Sequence, residues 1–166
     1  MVQQDSVTVV VNGRPLPVHA TAVHTTALDW LRAHGLTGAK EGCAEGECGA
    51  CSILVARPGI DTPSEWVALN SCLVPVAALD GQELVTAEGL GTSRHLHPVQ
   101  REMAVRGGSQ CGYCTPGMIM ASVSLLEENP NPNEEEIREA LEGNYCRCTG
   151  YENIIKAVQQ AAGQTS

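Results

Sequence analysis

Phenylalanine is absent from this chain of 166 residues, and aromatic residues make up only 3% of it, so the usual large fillers of a hydrophobic core are scarce. Positive charge is scarce too: 10 Lys and Arg stand against 19 Asp and Glu, giving a formal net charge of -9, and the basic residues are scattered. A nucleic-acid surface, which needs clustered positive charge, is not expected. No uninterrupted apolar run approaches the roughly 18 residues that cross a bilayer. The start, MVQQDSVTVVVNG, carries neither the basic-then-apolar pattern of a secretory leader nor a twin-arginine pair. These absences predict a soluble chain in the cytoplasm, with no nucleic-acid or membrane partner.

What the sequence has in quantity is sulfur. Eight cysteines are present, and structural disulfides are rare in the expected compartment, so the thiols are expected to bind metal. Metal ligation would supply cohesion that a core poor in aromatics lacks. They fall into two groups of four, Cys43, Cys48, Cys51 and Cys72, then Cys111, Cys114, Cys146 and Cys148. The length allows one ordinary domain or two small ones, and this grouping favours two.

The first half reads as strands around one helix. A β-branched run from Ser6 to Val11 is followed by Asn12-Gly13, the residues of a two-residue hairpin turn. Pro15 and Pro17 confine the next strand to an edge. The stretch from Thr26 to His34 puts Ala27, Leu28, Trp30 and Leu31 on one helical face, with Gly35 at the expected C-terminal cap. Ser52 to Ala56, Glu65 to Leu69 and Glu83 to Thr86 are strand-like, the first two separated by the Pro-rich segment RPGIDTPS. The second half changes to helical period. Helices are expected after His97-Pro98, after Thr115-Pro116, after Asn133 and after Gly150. In the second of these, apolar residues from Met118 to Leu126 cover nearly the whole circumference, as in a helix buried on most sides. The fold class is therefore α+β: a first domain over residues 1–87 and an all-α four-helix-bundle domain over 88–166, joined by a connector near Glu88 to His95.

The first group, Cys43-x4-Cys48-x2-Cys51 with Cys72 downstream, has the plant-type ferredoxin spacing for a 2Fe-2S cluster. Gly42, Gly46 and Gly49 interleave with the thiols and let the loop wrap a cluster and turn N–H groups toward sulfur. Zinc sites more often present two C-x2-C knuckles. The second group, Cys111-x2-Cys114 and Cys146-x-Cys148, is less diagnostic. Each pair precedes a predicted helix whose positive end would face an anionic centre, and that suits a cluster or a zinc tetrathiolate. The five histidines are dispersed, and the carboxylates of Glu45, Glu47 and Glu134 to Glu136 read as solvated or as helix-start residues.

Two long motifs, QCGYCTPGM from Gln110 to Met118 and GNYCRCTGY from Gly143 to Tyr151, together with the upstream loop, resemble the iron–sulfur subunit of the molybdenum hydroxylase family. The resemblance covers roughly Ser6 to Val158. It implies a β-grasp, ferredoxin-like N-terminal domain followed by the helical domain, with a 2Fe-2S cluster in each. The ligands would be Cys43, Cys48, Cys51 and Cys72, then Cys111, Cys114, Cys146 and Cys148. The stretches HLHPVQ and KEGCAEGECGACSI, and the Pro-rich segment from Arg57 to Ser64, are most similar to xanthine dehydrogenases.

The resemblance also implies an electron-transfer subunit, not catalytic alone, in a higher-order heteromer. Partner subunits would carry molybdopterin and FAD. The cluster of the second group would lie nearer molybdenum and that of the first nearer the flavin, with Gln110 and Cys148 contacting the pterin. The chain ends after the iron–sulfur part, as the small subunit of a split enzyme would. The rival expectations are a zinc-binding structural or interaction module and a free-standing ferredoxin.

Overall fold

The computed structural model describes residues 7–19, 22–57 and 65–164. Ser6 and most of the Pro-rich segment, positions 58–64, lie outside the described residues. Among the described residues the architecture is mixed α+β, with a five-stranded sheet and five α-helices.

Strands β1 (Thr8–Val11) and β2 (Arg14–Pro17) form the expected hairpin. Asn12 and Gly13 both take left-handed backbone angles, φ 51° and 75°, as a two-residue turn matching strand twist requires. With β3 (Ser52–Arg57), β4 (Glu65–Asn70) and β5 (Glu83–Val85), the order is β2-β1-β5-β3-β4. Only β1 and β5 run parallel. β2 lies at an edge, where its two prolines remove no ladder donor from a central strand.

The period of two along β3 divides the core. Ile53 and Val55 join Val9, Val11 and Leu84 with Ala27, Leu28, Trp30 and Leu31 of α1 (Ala27–Ala33). Leu54, pointing the other way, joins the helical cluster instead. The sheet therefore lies between α1 on one face and α3 (Thr115–Glu128) on the other. The Ser124 hydroxyl donates to the Trp66 carbonyl at 2.9 Å and fastens α3 to β4. This explains the apolar circumference of α3. One side covers the sheet, and the others meet α2 (Pro98–Val105), α4 (Glu134–Ala140) and α5 (Glu152–Ala162) in the same buried cluster.

The ends of these helices follow from local chemistry. Thr26 caps α1 by accepting the Asp29 N–H, and Gly35, at φ 81°, follows its last turn. Asn133 and Glu136 form a capping box at α4. Glu102, nearly buried on α2, accepts from Arg106 Nε at 2.7 Å and from Gln164 Nε2 at 3.2 Å, which ties α2 to the end of α5. No helix among the described residues is long and apolar enough to cross a membrane.

His97 gives the fold a testable pH response. Its Nδ1 accepts the Val99 N–H at 3.3 Å, while its own main-chain N–H donates to Gln100 Oε1 at 3.0 Å. Burial holds its pKa below the usual 6.5, with the Glu127 charge opposing in part. A histidine whose folded pKa is depressed binds its proton more readily in the unfolded chain, so its contribution is complete above 6.5 and is lost as pH falls below that value. His97→Asn keeps an N-cap acceptor. The thermal midpoint of the variant is expected to fall less than that of the wild type between neutral pH and mild acid; identical pH profiles would contradict this role.

Candidate metal centre

The first thiol loop runs from α1 to β3 and turns through three left-handed residues, Ala44, Gly46 and Gly49, at φ 56°, 79° and 65°. The turns direct main-chain N–H groups at sulfur. Glu45 N–H reaches Cys43 Sγ at 3.4 Å. That bond, then the Cys48 side chain and the N–H groups of Cys48 and Glu47, bring the Cys43 thiol down to about 7. Cys51 and Cys72 are buried. Burial first, then the Cys51 sulfur and its charge, push the Cys72 thiol up to about 11. The loop is anchored from β4: Asn70 Nδ2 donates to the Gly46 carbonyl at 2.6 Å, and Ser71 Oγ donates to the Cys51 carbonyl at 2.7 Å.

The second quartet is built at the starts of two helices. Cys114 is the N-cap residue of α3, and Gly112, at φ 81°, separates it from Cys111. Burial, then Cys146, push Cys114 up to about 12. Cys146 itself experiences burial that raises its pKa, but hydrogen bonds from the Thr149 hydroxyl and N–H, from the Cys148 N–H and from Cys114 outweigh it, so the net direction is down. Its Sγ lies 3.1 Å from Thr149 Oγ1. Cys148 is raised by its hydrogen-bonded neighbour Cys111. The cap before α5 is Tyr151, left-handed at φ 68°, whose hydroxyl accepts the Cys146 N–H at 2.8 Å.

All eight cysteines are free thiols, and they meet in twos. The thiols that act on one another most directly are Cys43 and Cys48, Cys51 and Cys72, Cys111 and Cys148, and Cys114 and Cys146. Longer-range repulsion links the pairs within each quartet, as between Cys72 and Cys43 and between Cys114 and Cys111. Among the described residues, no three or more His, Cys, Asp or Glu side chains converge as the ligands of a single ion would. Two thiol pairs side by side suit two adjacent irons with two thiolates each; one tetrahedral zinc needs all four sulfurs around one point.

Two family descriptions cover the two halves of the chain. Residues 9–77 match the family described as a 2Fe-2S iron-sulfur cluster binding domain, and residues 86–159 match that described as a 2Fe-2S binding domain. A solved structure of quinoline 2-oxidoreductase from Pseudomonas putida 86 is 36% identical, with a TM-score of 0.86, covering 96% of this chain and 93% of that one. The chain belongs to the 2Fe-2S iron–sulfur modules of the molybdenum hydroxylase family. Aldehyde oxidoreductase from Desulfovibrio gigas also reaches a TM-score of 0.86, at 34% identity, with 95% of this chain covered and 17% of that one. Xanthine dehydrogenase from Emericella nidulans is 42% identical over 156 residues. That match takes in 93% of this chain but 11% of the relative, so the chain spans about a tenth of such a protein.

In this iron–sulfur module, Gln110 and Cys148 are both exposed. Glu45 and Glu47 are exposed, as solvated carboxylates should be. Asn144, Tyr145 and Tyr151 lie in the motif GNYCRCTGY, whose spacing alone gives them no role. Nor does spacing single out the Tyr113 hydroxyl, which donates to the Glu41 carbonyl of the first loop. Their signal was only their neighbourhood to cysteine; the partners of Tyr113, Asn144 and Tyr145 are far away in the chain, and those of Tyr151 are the main chain of Cys146 and Asn144.

Proposed function

We propose that the eight cysteines hold two 2Fe-2S clusters, with Cys43, Cys48, Cys51 and Cys72 at the first and Cys111, Cys114, Cys146 and Cys148 at the second. The observation that carries this reading is the meeting of thiols in twos within each quartet. On the same basis each iron of a bound cluster would take one thiol pair. A bound 2Fe-2S centre supplies one-electron chemistry. The protein's part is to orient the sulfurs, shield Cys51, Cys72 and Cys146 from water, and aim N–H groups at sulfur, which tunes the potential.

The function proposed for the whole assembly is electron relay in a molybdenum hydroxylase of the xanthine or purine type. Molybdopterin and FAD sit on partner subunits of a larger heteromer. Gln110 and Cys148, exposed beside the second quartet, are suited to a pterin edge, because a glutamine amide offers both donors and an acceptor. That puts the second quartet toward molybdenum and the first toward the flavin. Residues 1–87 form the β-grasp domain and 88–166 a four-helix bundle, with cytoplasmic residence.

The purified chain is expected to contain iron and acid-labile sulfide in equal amounts, and to co-purify from its native source with a molybdenum-containing chain. Zinc without sulfide would contradict the clusters. Iron and sulfide in a chain recovered with no molybdenum partner would contradict the assembly.

A further inference from the structure

Besides the Tyr113–Glu41 contact, two hydrogen bonds join the first thiol loop to the residues just before Cys146. The Tyr145 N–H donates to the Cys48 carbonyl at 3.0 Å, and Asn144 Nδ2 donates to the Gly49 carbonyl at 3.1 Å. Both acceptors belong to the first thiol loop, and both donors come just before Cys146 of the second quartet. Tyr145 N–H and Cys48 carbonyl thus complete a bonded route between two thiols of different sites. It runs from Cys48 Sγ through that residue's own main chain to its carbonyl, across the hydrogen bond, and along one peptide to Cys146 and its Sγ.

Asn144 is placed to keep this contact closed. It is 5% exposed, so an unmade hydrogen bond there would be costly. Its carbonyl accepts from the Tyr151 hydroxyl at 3.2 Å, and the same hydroxyl accepts the Cys146 N–H. One side of Asn144 is therefore fixed to the second quartet while its amide grips the first. There is no room for sliding. A methyl group on Gly49 would overlap the Asn144 amide, and one on Gly117 of α3 would overlap the Gly49 carbonyl. Beside this seam the chain leaves an apolar cleft of about 290 Å³, bordered by Cys43, Cys48, Cys111 and Cys146, at whose edge the Tyr113 hydroxyl reaches the Glu41 carbonyl.

We propose that Asn144 is a positioning residue that holds the Cys48 carbonyl on the Tyr145 amide and thereby sets the electronic coupling between the two sites. The proposal rests on the two-cluster reading. The transfer concerned moves one electron, oxidising one iron pair and reducing the other, with no bond made or broken and no proton taken up.

The test uses the complete complex, reduced with dithionite, with Asn144→Ala and a Tyr145 backbone ester, in which the α-hydroxy acid removes the N–H and keeps the phenol. Iron, sulfide and the individual paramagnetic resonance signals report whether both centres are loaded. In loaded variants the low-temperature splitting caused by one reduced centre on the other is expected to shrink. Equilibration of an injected electron between them is expected to slow severalfold, while each centre keeps its own signal. Wild-type splitting and rate in loaded Asn144→Ala would overturn the proposal. Should that variant lose a centre, the ester decides: unchanged equilibration there overturns it, and slowed equilibration supports it. Absence of paired-iron signals in the wild type would instead overturn the cluster reading.

Discussion

A chain carrying Cys114→Ser is expected to be isolated with half the iron and half the labile sulfide of the wild type, and with its first centre intact. Cys114 is one of the pair with Cys146 and is half-buried at the first residue before α3. A serine hydroxyl there is a harder and far less acidic ligand, and the burial that raises the thiol pKa would oppose an alkoxide more strongly. The first quartet contributes no ligand to this pair. Cys72→Ser is the mirror experiment: it removes the partner of Cys51 and should leave the second centre loaded. Because a metal centre contributes folding free energy to the elements that supply its ligands, each variant should also lower the thermal midpoint. Iron and sulfide analysis with paramagnetic resonance of the reduced protein checks both. Loss of both centres from either substitution would contradict independent sites.

Gly49→Ala and Gly117→Ala are expected to be the most damaging substitutions that touch no ligand. Gly49 has φ 65°, a left-handed angle that costs an alanine about 1–2 kcal/mol. Its added methyl group would also overlap the Asn144 amide and the Gly143 carbonyl. Gly117 lies within α3, where alanine alone would favour the helix by about 1 kcal/mol. Overlap with the Gly49 carbonyl opposes that gain, and overpacking of this kind costs about 1–3 kcal/mol. The steric effect decides the sign because its partner is main chain and cannot rotate away. Gly143→Ala is the control, since a methyl group there meets nothing within 4 Å. The measurement is the rate at which visible cluster absorbance bleaches on warming. Both variants should bleach faster than the wild type and the control; equal rates for all four would contradict the close approach of the loops.

Much of the fold was legible because it is local. Asn12-Gly13 requires a particular pair of backbone angles, and Asn133 with Glu136 satisfies N–H groups only at a helix start. The apolar girth of Met118 to Leu126 announced a buried α3, but not that the sheet forms one of its walls. Leu54 was assigned to a strand without a sign that it serves the helical cluster while its neighbours Ile53 and Val55 serve the other. Such facts depend on which elements meet. At the site, spacing grouped the thiols by fours, whereas their meeting in twos comes from tertiary approach. The Asn144 contact with Gly49 spans a sequence separation of 95, and no period or motif encodes a partner at that range. Tyr151 escaped for a related reason: its left-handed backbone and its hydroxyl bridge matter only once Cys146 and Asn144 lie beside it.

The central claim is that each quartet binds iron as a sulfide-bridged pair. Mössbauer spectroscopy of the oxidised chain, enriched in iron-57, addresses it most directly. All the iron should give quadrupole doublets of diamagnetic, antiferromagnetically coupled ferric pairs, with none magnetically split in an applied field beyond that field itself. Magnetically split spectra of isolated high-spin iron, or a chain filled by zinc with no iron signal, would contradict the account.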